Sequence, residues 1–279
     1  MKKIDLHCYV TAFPQYAAPH KNGSRFMSAE EQIAFQNKLN IEYSVVIPIL
    51  SPEGQWTKLG SENCKHISVQ HPDRFLWFCG VDPRMGNFRD NTDFTPLLGF
   101  FKEKGALGVG EVAPALYIDD PMVDNLFSWC ETYAMPALVR YTHFYGSGSG
   151  VFDDRGLRRT EAMLIKHPNL RLLGTYDGLW AEYPDSLERL MEKYPNMSAV
   201  LSGKAAADAL LADPERAASF LERFAAQLCY GTAACSVTDT YPFALDSFLT
   251  GLVSSGKLSA SAYAKIIRQN AEALLRRAR

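Results

Sequence analysis

The chain has 279 residues, 47% of them apolar and 22% charged, with 29 Lys and Arg against 31 Asp and Glu for a net charge of −2. That is enough apolar surface for a packed core, which excludes a disordered chain, and the near-neutral balance offers no basic field for nucleic acid or anionic lipid. No apolar run approaches the ~20 residues of a membrane helix. Two lysines open the chain, but Asp5 and His7 interrupt any signal-peptide core, so a cytoplasmic protein is expected. Six cysteines are scattered with no C-x-x-C pair, and most fall in apolar segments, the pattern of buried thiols.

In chain order, eight short runs read as strands: KIDLHC from Lys3, YSVVIPI from Tyr43, FLWFCGV from Phe75 and ALGVGEV from Ala106. PALVRY from Pro136, LRLLGTY from Leu170, MSAVLS from Met197 and QLCYGT from Gln227 complete the set. Most are solidly apolar rather than alternating, as strands covered on both faces are. Helix-length amphipathic stretches separate them. Ser28 with Glu31 forms a capping box before EQIAFQNKLN, and Asp120-Pro121 and Asp213-Pro214 are helix-start pairs. Further helices are expected over Phe94 to Lys104, Gly156 to His167, Pro184 to Lys193, Pro242 to Ser255 and Ser259 to Arg277. The alternation predicts an α/β fold with a parallel sheet. Eight strands without a Gly-rich nucleotide fingerprint favour a closed (β/α)8 barrel, one TIM-barrel domain over residues 1–279 with a C-terminal helical extension.

In a barrel the site lies at the C-terminal ends of the strands. The long irregular stretches Thr11 to Met27, Ser51 to Gly60, Pro83 to Asp93 and Thr142 to Asp154 all follow a predicted strand and belong to that face. On the first strand Asp5, His7 and Tyr9 share a face by the period of two, while Cys8 faces the helices. The fourth strand ends at Glu111, the fifth at Arg140, the sixth at Tyr176 with Asp177 next, and the eighth at Thr232 and Ala233. His71 and His167 stand in His-Pro turns at the opposite face and read as structural. The GSGSG run from Gly146 lacks the Lys-Ser/Thr of a phosphate loop and reads as a rim loop.

The segments IDLHCY, HPDRF, GALGVGEV, MPALVRY, HPNLRLLGTYDG and LCYGTAACS, in that order, resemble the amidohydrolase-related family, amidohydrolase family 2. The resemblance runs from Ile4 to the NAEALL segment at Asn270. It implies a (β/α)8 barrel with one divalent metal at its C-terminal face and hydrolase or decarboxylase chemistry. Most of the implied metal positions are changed here. The His-x-His of the first strand reads His7-Cys8-Tyr9, the strand-five histidine falls on Arg140, the strand-six histidine on Tyr176, and Gly-Thr-Asp reads Gly231-Thr232-Ala233. A fixed guanidinium at a ligand position repels a divalent cation. The expectation is therefore a site without a cofactor. The alternative is one divalent metal such as zinc, held by His7, Glu111, His143 or Asp177.

Three readings follow. In the first, the barrel binds a small anionic ligand with His7, Arg140 and Tyr176 as its central groups and Tyr9, Glu111, His143 and Asp177 around them. In the second, it is an active hydrolase or decarboxylase in which Arg140 stabilises developing negative charge and His7 or Tyr176 acts as acid or base. In the third, Arg140, Glu111 and the two tyrosines fill a closed cavity of a structural subunit. The partner in the first two is a small molecule, and many barrels form homodimers.

Overall fold

A computed structural model describes residues 1–20, 23–50, 58–142, 150–176 and 178–278. Eight strands carry the fold: β1 (Lys3–Cys8), β2 (Ile41–Val46), β3 (Phe75–Trp77), β4 (Val109–Val112), β5 (Ala137–Val139), β6 (Leu172–Thr175), β7 (Met197–Leu201) and β8 (Leu228–Tyr230). All neighbours pair in parallel, in the orders β1-β2-β3 and β4-β5-β6-β7-β8. Two parallel bridges, Cys79↔Val109 and Cys8↔Ala234, join these arcs. The backbone supports both seams: Cys79 N–H donates to Gly108 O (2.9 Å), Gly110 N–H to Cys79 O (2.9 Å) and Tyr9 N–H to Ala234 O (3.0 Å). The ring is closed, as expected.

Side chains divide into two apolar layers because successive strand residues point to opposite faces. Ile4, Val45, Phe78, Leu107, Leu138, Leu173, Val200 and Cys229, one from each strand or its adjoining residue, form the inner layer. Their neighbours Val46, Trp77, Val139, Leu172, Ala199 and Leu228 face outward and pack on the helices. The interior is thus a filled core, not a pore.

The helices start where the sequence says they do. Ser28 and Glu31 make the full capping box of the helix Ala29–Lys38, and Asp120 and Asp213 accept from Met122 N–H and Arg216 N–H to cap Pro121–Thr132 and Pro214–Arg223. A helix over Lys204–Ala212 was not among the expected ones; its small apolar residues bury Ala206, Ala207 and Leu210. The stretch expected to be irregular after β5 contains Val151–Phe152, which pairs with Leu116–Tyr117 and Tyr141–Thr142 in a small parallel sheet.

The C-terminal extension closes one end of the barrel. Ala271 and Leu275, on the helix Asn270–Ala278, pack against the inner layer. Asn270 donates to Ala225 O and Leu228 O, Arg171 to Leu274 O, and Arg268 to Lys2 O. Each of these contacts lies at or just before a strand's first residue, so the plugged end is the N-terminal one.

Candidate functional site at the barrel mouth

A cavity of about 360 Å³ opens at the C-terminal end. Its polar lining is Tyr9, His20, Glu111, Arg140 and Cys235; its apolar wall is Phe26, Ile49, Leu50 and Ala113. A larger hollow, about 630 Å³, lies under the C-terminal helix at the other end. Its principal polar side chains, Arg171, Asn196 and Asn270, bond to backbone carbonyls and brace strand starts. The smaller cavity is the one with side chains turned toward a guest.

Three predicted residues, Tyr9, Glu111 and Arg140, line it, and His7 joins them through Tyr9. β1 runs on past Cys8, so His7 and Tyr9 both reach the mouth, each almost fully buried. The Tyr9 hydroxyl donates to Glu111 Oε2 (2.9 Å) and lies 2.8 Å from His7 Nε2. His7 Nδ1 lies 2.9 Å from Ser202 Oγ at the end of β7. Because Tyr9 gives its proton to a carboxylate, His7 Nε2–H must donate to the Tyr9 oxygen, leaving Nδ1 to accept from the Ser202 hydroxyl. The chain Ser202, His7, Tyr9, Glu111 is therefore a continuous row of hydrogen bonds directed at one carboxylate. With Glu111 protonated, the whole row can reverse.

Glu111 is the electrostatic centre. Its side chain is 7% exposed and Arg140 Nη1 stands 3.9 Å from Oε2. Burial pushes its carboxyl above the ordinary range, opposed by the Arg140 charge and the Tyr9 hydrogen bond. Arg140 follows Leu138 by two on β5, so both face inward, and its side chain remains 44% exposed toward the opening. The Cys235 thiol is pushed up to about 12 by burial and by Asp239, so it stays neutral.

Behind the mouth, Asp5 is completely buried. Oδ1 accepts from His7 N–H and Thr232 N–H (both 2.9 Å), and Oδ2 from Ser44 Oγ (3.1 Å) and Thr232 Oγ1 (2.8 Å). It ties β1 to β2 and to the segment after β8, and so holds the backbone that aims His7. At that segment Gly231 is required: a Cβ there would lie 2.7 Å from Val200 Cγ1 and 3.2 Å from His7 Cβ.

Tyr176 corrects an expectation. Leu173 faces inward, so the inward end of β6 is Thr175, and Tyr176 points to the helices. It stacks on Phe220 with centroids 5.4 Å apart, and burial pushes its phenol up to about 12. It takes no part in the mouth. His143 and Asp177 lie outside the described residues. Ser202 and His20 were not among the predicted site residues. Ser202 was legible from its even spacing to Val200 on β7, whereas His20 in the long first loop carried no pattern.

No protein-family model matches the chain, and no curated protein matches its sequence. Solved structures do. An uncharacterized TIM-barrel protein, Bb4693 from Bordetella bronchiseptica, is 18% identical at a TM-score of 0.73, covering 100% of this chain and 99% of that one. The 2,6-dihydroxybenzoate decarboxylase from Rhizobium is 16% identical at 0.65, with 99% of both chains covered. A 5-carboxyvanillate decarboxylase from Novosphingobium aromaticivorans, complexed with manganese, is 14% identical at 0.63, covering 99% of this chain and 96% of that one. An amidohydrolase II structure falls in the same range. The fold is that of the amidohydrolase-related barrels.

The barrel that the resemblance implied is present, but the expectation of no cofactor is overturned. Manganese is bound on this fold in the 5-carboxyvanillate decarboxylase. Imidazole and carboxylate both suit such an ion, and His7 Nε2 and Glu111 Oε1, 3.8 Å apart, are donors of that kind. Catalytic zinc sites, for comparison, use three protein ligands. Among the described residues no group of three or more His, Cys, Asp or Glu side chains is placed to hold a metal, and the Tyr9 hydroxyl is bonded between the two donors. As they stand, the described residues do not complete a manganese site. Among them, too, no helix is long and apolar enough to cross a membrane.

Proposed function

We propose that the chain is a single barrel domain whose mouth binds a small carboxylate. The observation that carries this reading is Arg140. Its side chain lines the 360 Å³ cavity, is 44% exposed, and brings a fixed positive charge 3.9 Å from a buried Glu111. A bidentate guanidinium–carboxylate pair is the strong form of such a contact. Phe26, Ile49, Leu50 and Ala113 supply a wall for an apolar body. An entering carboxylate draws Arg140 away from Glu111, which favours the protonated form of a carboxyl that burial already raises.

A decarboxylase reading is supported by the hydrogen-bonded row, and several of the solved neighbours are decarboxylases. In that reaction the carbon–carboxylate bond breaks, carbon dioxide leaves, and the electron pair left on carbon takes up one proton. Protonated Glu111 is the acid of the mouth. Tyr9, donating to Oε2, orients the carboxyl and leaves the proton to the other oxygen, while His7 holds Tyr9 and Ser202 holds the His7 ring.

The test is calorimetric titration with 2,6-dihydroxybenzoate, followed by assay for released carbon dioxide. Arg140→Ala is expected to weaken binding by about tenfold or more, the loss of a charge-assisted pair, with an unchanged urea midpoint. Equal binding by parent and variant overturns the carboxylate reading. Binding with no carbon dioxide from the parent leaves a binding protein and rejects the decarboxylase.

A further inference from the structure

The strand end beyond β3 brings a bare position to the wall of the mouth. Phe78 belongs to the inner layer, and Cys79 still pairs in parallel with Val109, so the chain is extended there. Two residues after Phe78 the inward position is Gly80. On β5 the same step from Leu138 reaches Arg140. The room that a side chain would take at Gly80 is filled from the segment after β2. A Cβ on Gly80 would lie 3.0 Å from Leu50 Cβ, 3.2 Å from Pro48 Cγ and 3.4 Å from Leu50 Cδ2. Leu50 in turn lines the cavity.

Both sides of this contact are fastened. Cys79 N–H donates to Gly108 O and Gly110 N–H to Cys79 O (both 2.9 Å), and Gly80 N–H donates to Ser61 Oγ (2.9 Å) on the helix Ser61–Gln70. Across from them, Ile49 N–H donates to Leu59 O (2.9 Å) and Glu111 N–H to Pro48 O (3.4 Å). Gly80 does not have a left-handed φ, so its backbone suits alanine, and it is the close approach of Leu50 that keeps the position bare. Carbon atoms pack at about 3.5–4.0 Å. An added methyl therefore displaces the first carbon of the Leu50 side chain rather than a flexible tip. The open space beside Leu50 is the cavity that it lines.

We propose that the Leu50–Gly80 pair sets how broad an apolar body the mouth admits, with Gly80 as the specificity-determining residue. Because the strand end carries no side chain, Leu50 lies back against the barrel wall. A side chain at Gly80 presses Leu50 into the cavity and narrows it. This rests on the carboxylate reading above. It adds a gauge for the width of the acid's apolar part, independent of its polar substituents.

The experiment titrates benzoate and 2-naphthoate by calorimetry into the parent, Gly80→Ala, Leu50→Ala, the double variant Gly80→Ala/Leu50→Ala, and Arg140→Ala. The quantity read is the ratio of the two affinities, with urea midpoints to confirm folding. Gly80→Ala is expected to lower the affinity for 2-naphthoate relative to benzoate by about tenfold, the order of one methyl-sized change in an apolar pocket. Leu50→Ala, which removes the branch beyond Cβ, is expected to move the ratio about threefold or more toward 2-naphthoate. Added to Gly80→Ala, it is expected to restore the parent's ratio or exceed it. The Leu50→Ala shift is read even where Gly80→Ala does not fold. A ratio unchanged in Gly80→Ala, or lowered but not restored in the double variant, overturns the proposal, and so does a ratio that Leu50→Ala leaves as in the parent. Where the parent takes benzoate alone, Leu50→Ala is expected to admit 2-naphthoate, and its failure to do so is equally fatal. Arg140→Ala binding both acids like the parent defeats the carboxylate reading alone, and a parent that binds neither defeats both.

Discussion

Asp5 offers a measurable consequence of burying a carboxylate behind the site. Its four donors, two backbone N–H groups and two hydroxyls, are all uncharged. They favour the ionised form, but complete burial outweighs them, and the carboxyl is raised from 3.8 to about 6. Between those values the folded chain holds a proton that the unfolded chain has released. The slope of unfolding free energy with pH follows protons bound by the unfolded state minus those bound by the folded one, so it is negative there. Stability from this residue is greatest below pH 4 and is lost as pH rises through about 6. At 1.36 kcal/mol per pH unit the change is about 3 kcal/mol. Other carboxylates titrate in the same window, with Glu161 lowered to about 2 by Lys193 and Arg189, so the assay must isolate one group. Urea unfolding of the parent and Asp5→Asn, followed by circular dichroism from pH 4 to pH 7.5, does this by difference. The Ser44 and Thr232 hydroxyls can turn to accept from the amide. The parent's advantage over Asp5→Asn is expected to shrink by about 2 to 3 kcal/mol across that range. A difference that stays flat with pH refutes the reasoning.

Two further outcomes test the placement of groups around the mouth. Tyr176→Phe is expected to leave benzoate affinity unchanged and stability within about 0.5 kcal/mol, because the ring packs on Phe220 outside the barrel; a tenfold loss of binding would return Tyr176 to the site. Manganese uptake at the mouth needs donors beyond the described ones; where equilibrium dialysis detects it, it is expected to weaken by about tenfold or more in both His7→Ala and Glu111→Gln, the two donors present. Uptake that neither substitution alters would put the ion elsewhere in the molecule.

The strand ends were legible because two rules act locally. Solid apolar runs between capped helices dictate parallel strands covered on both faces, and a period of two aligns His7 with Tyr9 and Leu138 with Arg140. Glu111 was read as the last residue of the fourth strand, not from the period of two. The error at Tyr176 shows how narrow the rule is. Ending the sixth strand one residue late turns its last side chain to the opposite face, since the period leaves no intermediate position. The same rule, applied to β7 from Val200, would have found Ser202.

By itself the sequence determined the alternation of strand and helix, the caps, the closed parallel barrel and the group His7, Tyr9, Glu111 and Arg140 at its C-terminal end. These follow from short-range periodicity and from which faces must be covered. Only the tertiary structure decided that Tyr9 joins His7 to Glu111 and that Asp5 ties three strands behind them. Such contacts join residues tens to hundreds of positions apart. Their geometry comes from how the strands close and where a loop is fastened, as Met27 is to Cys235, and no local pattern of residues encodes it.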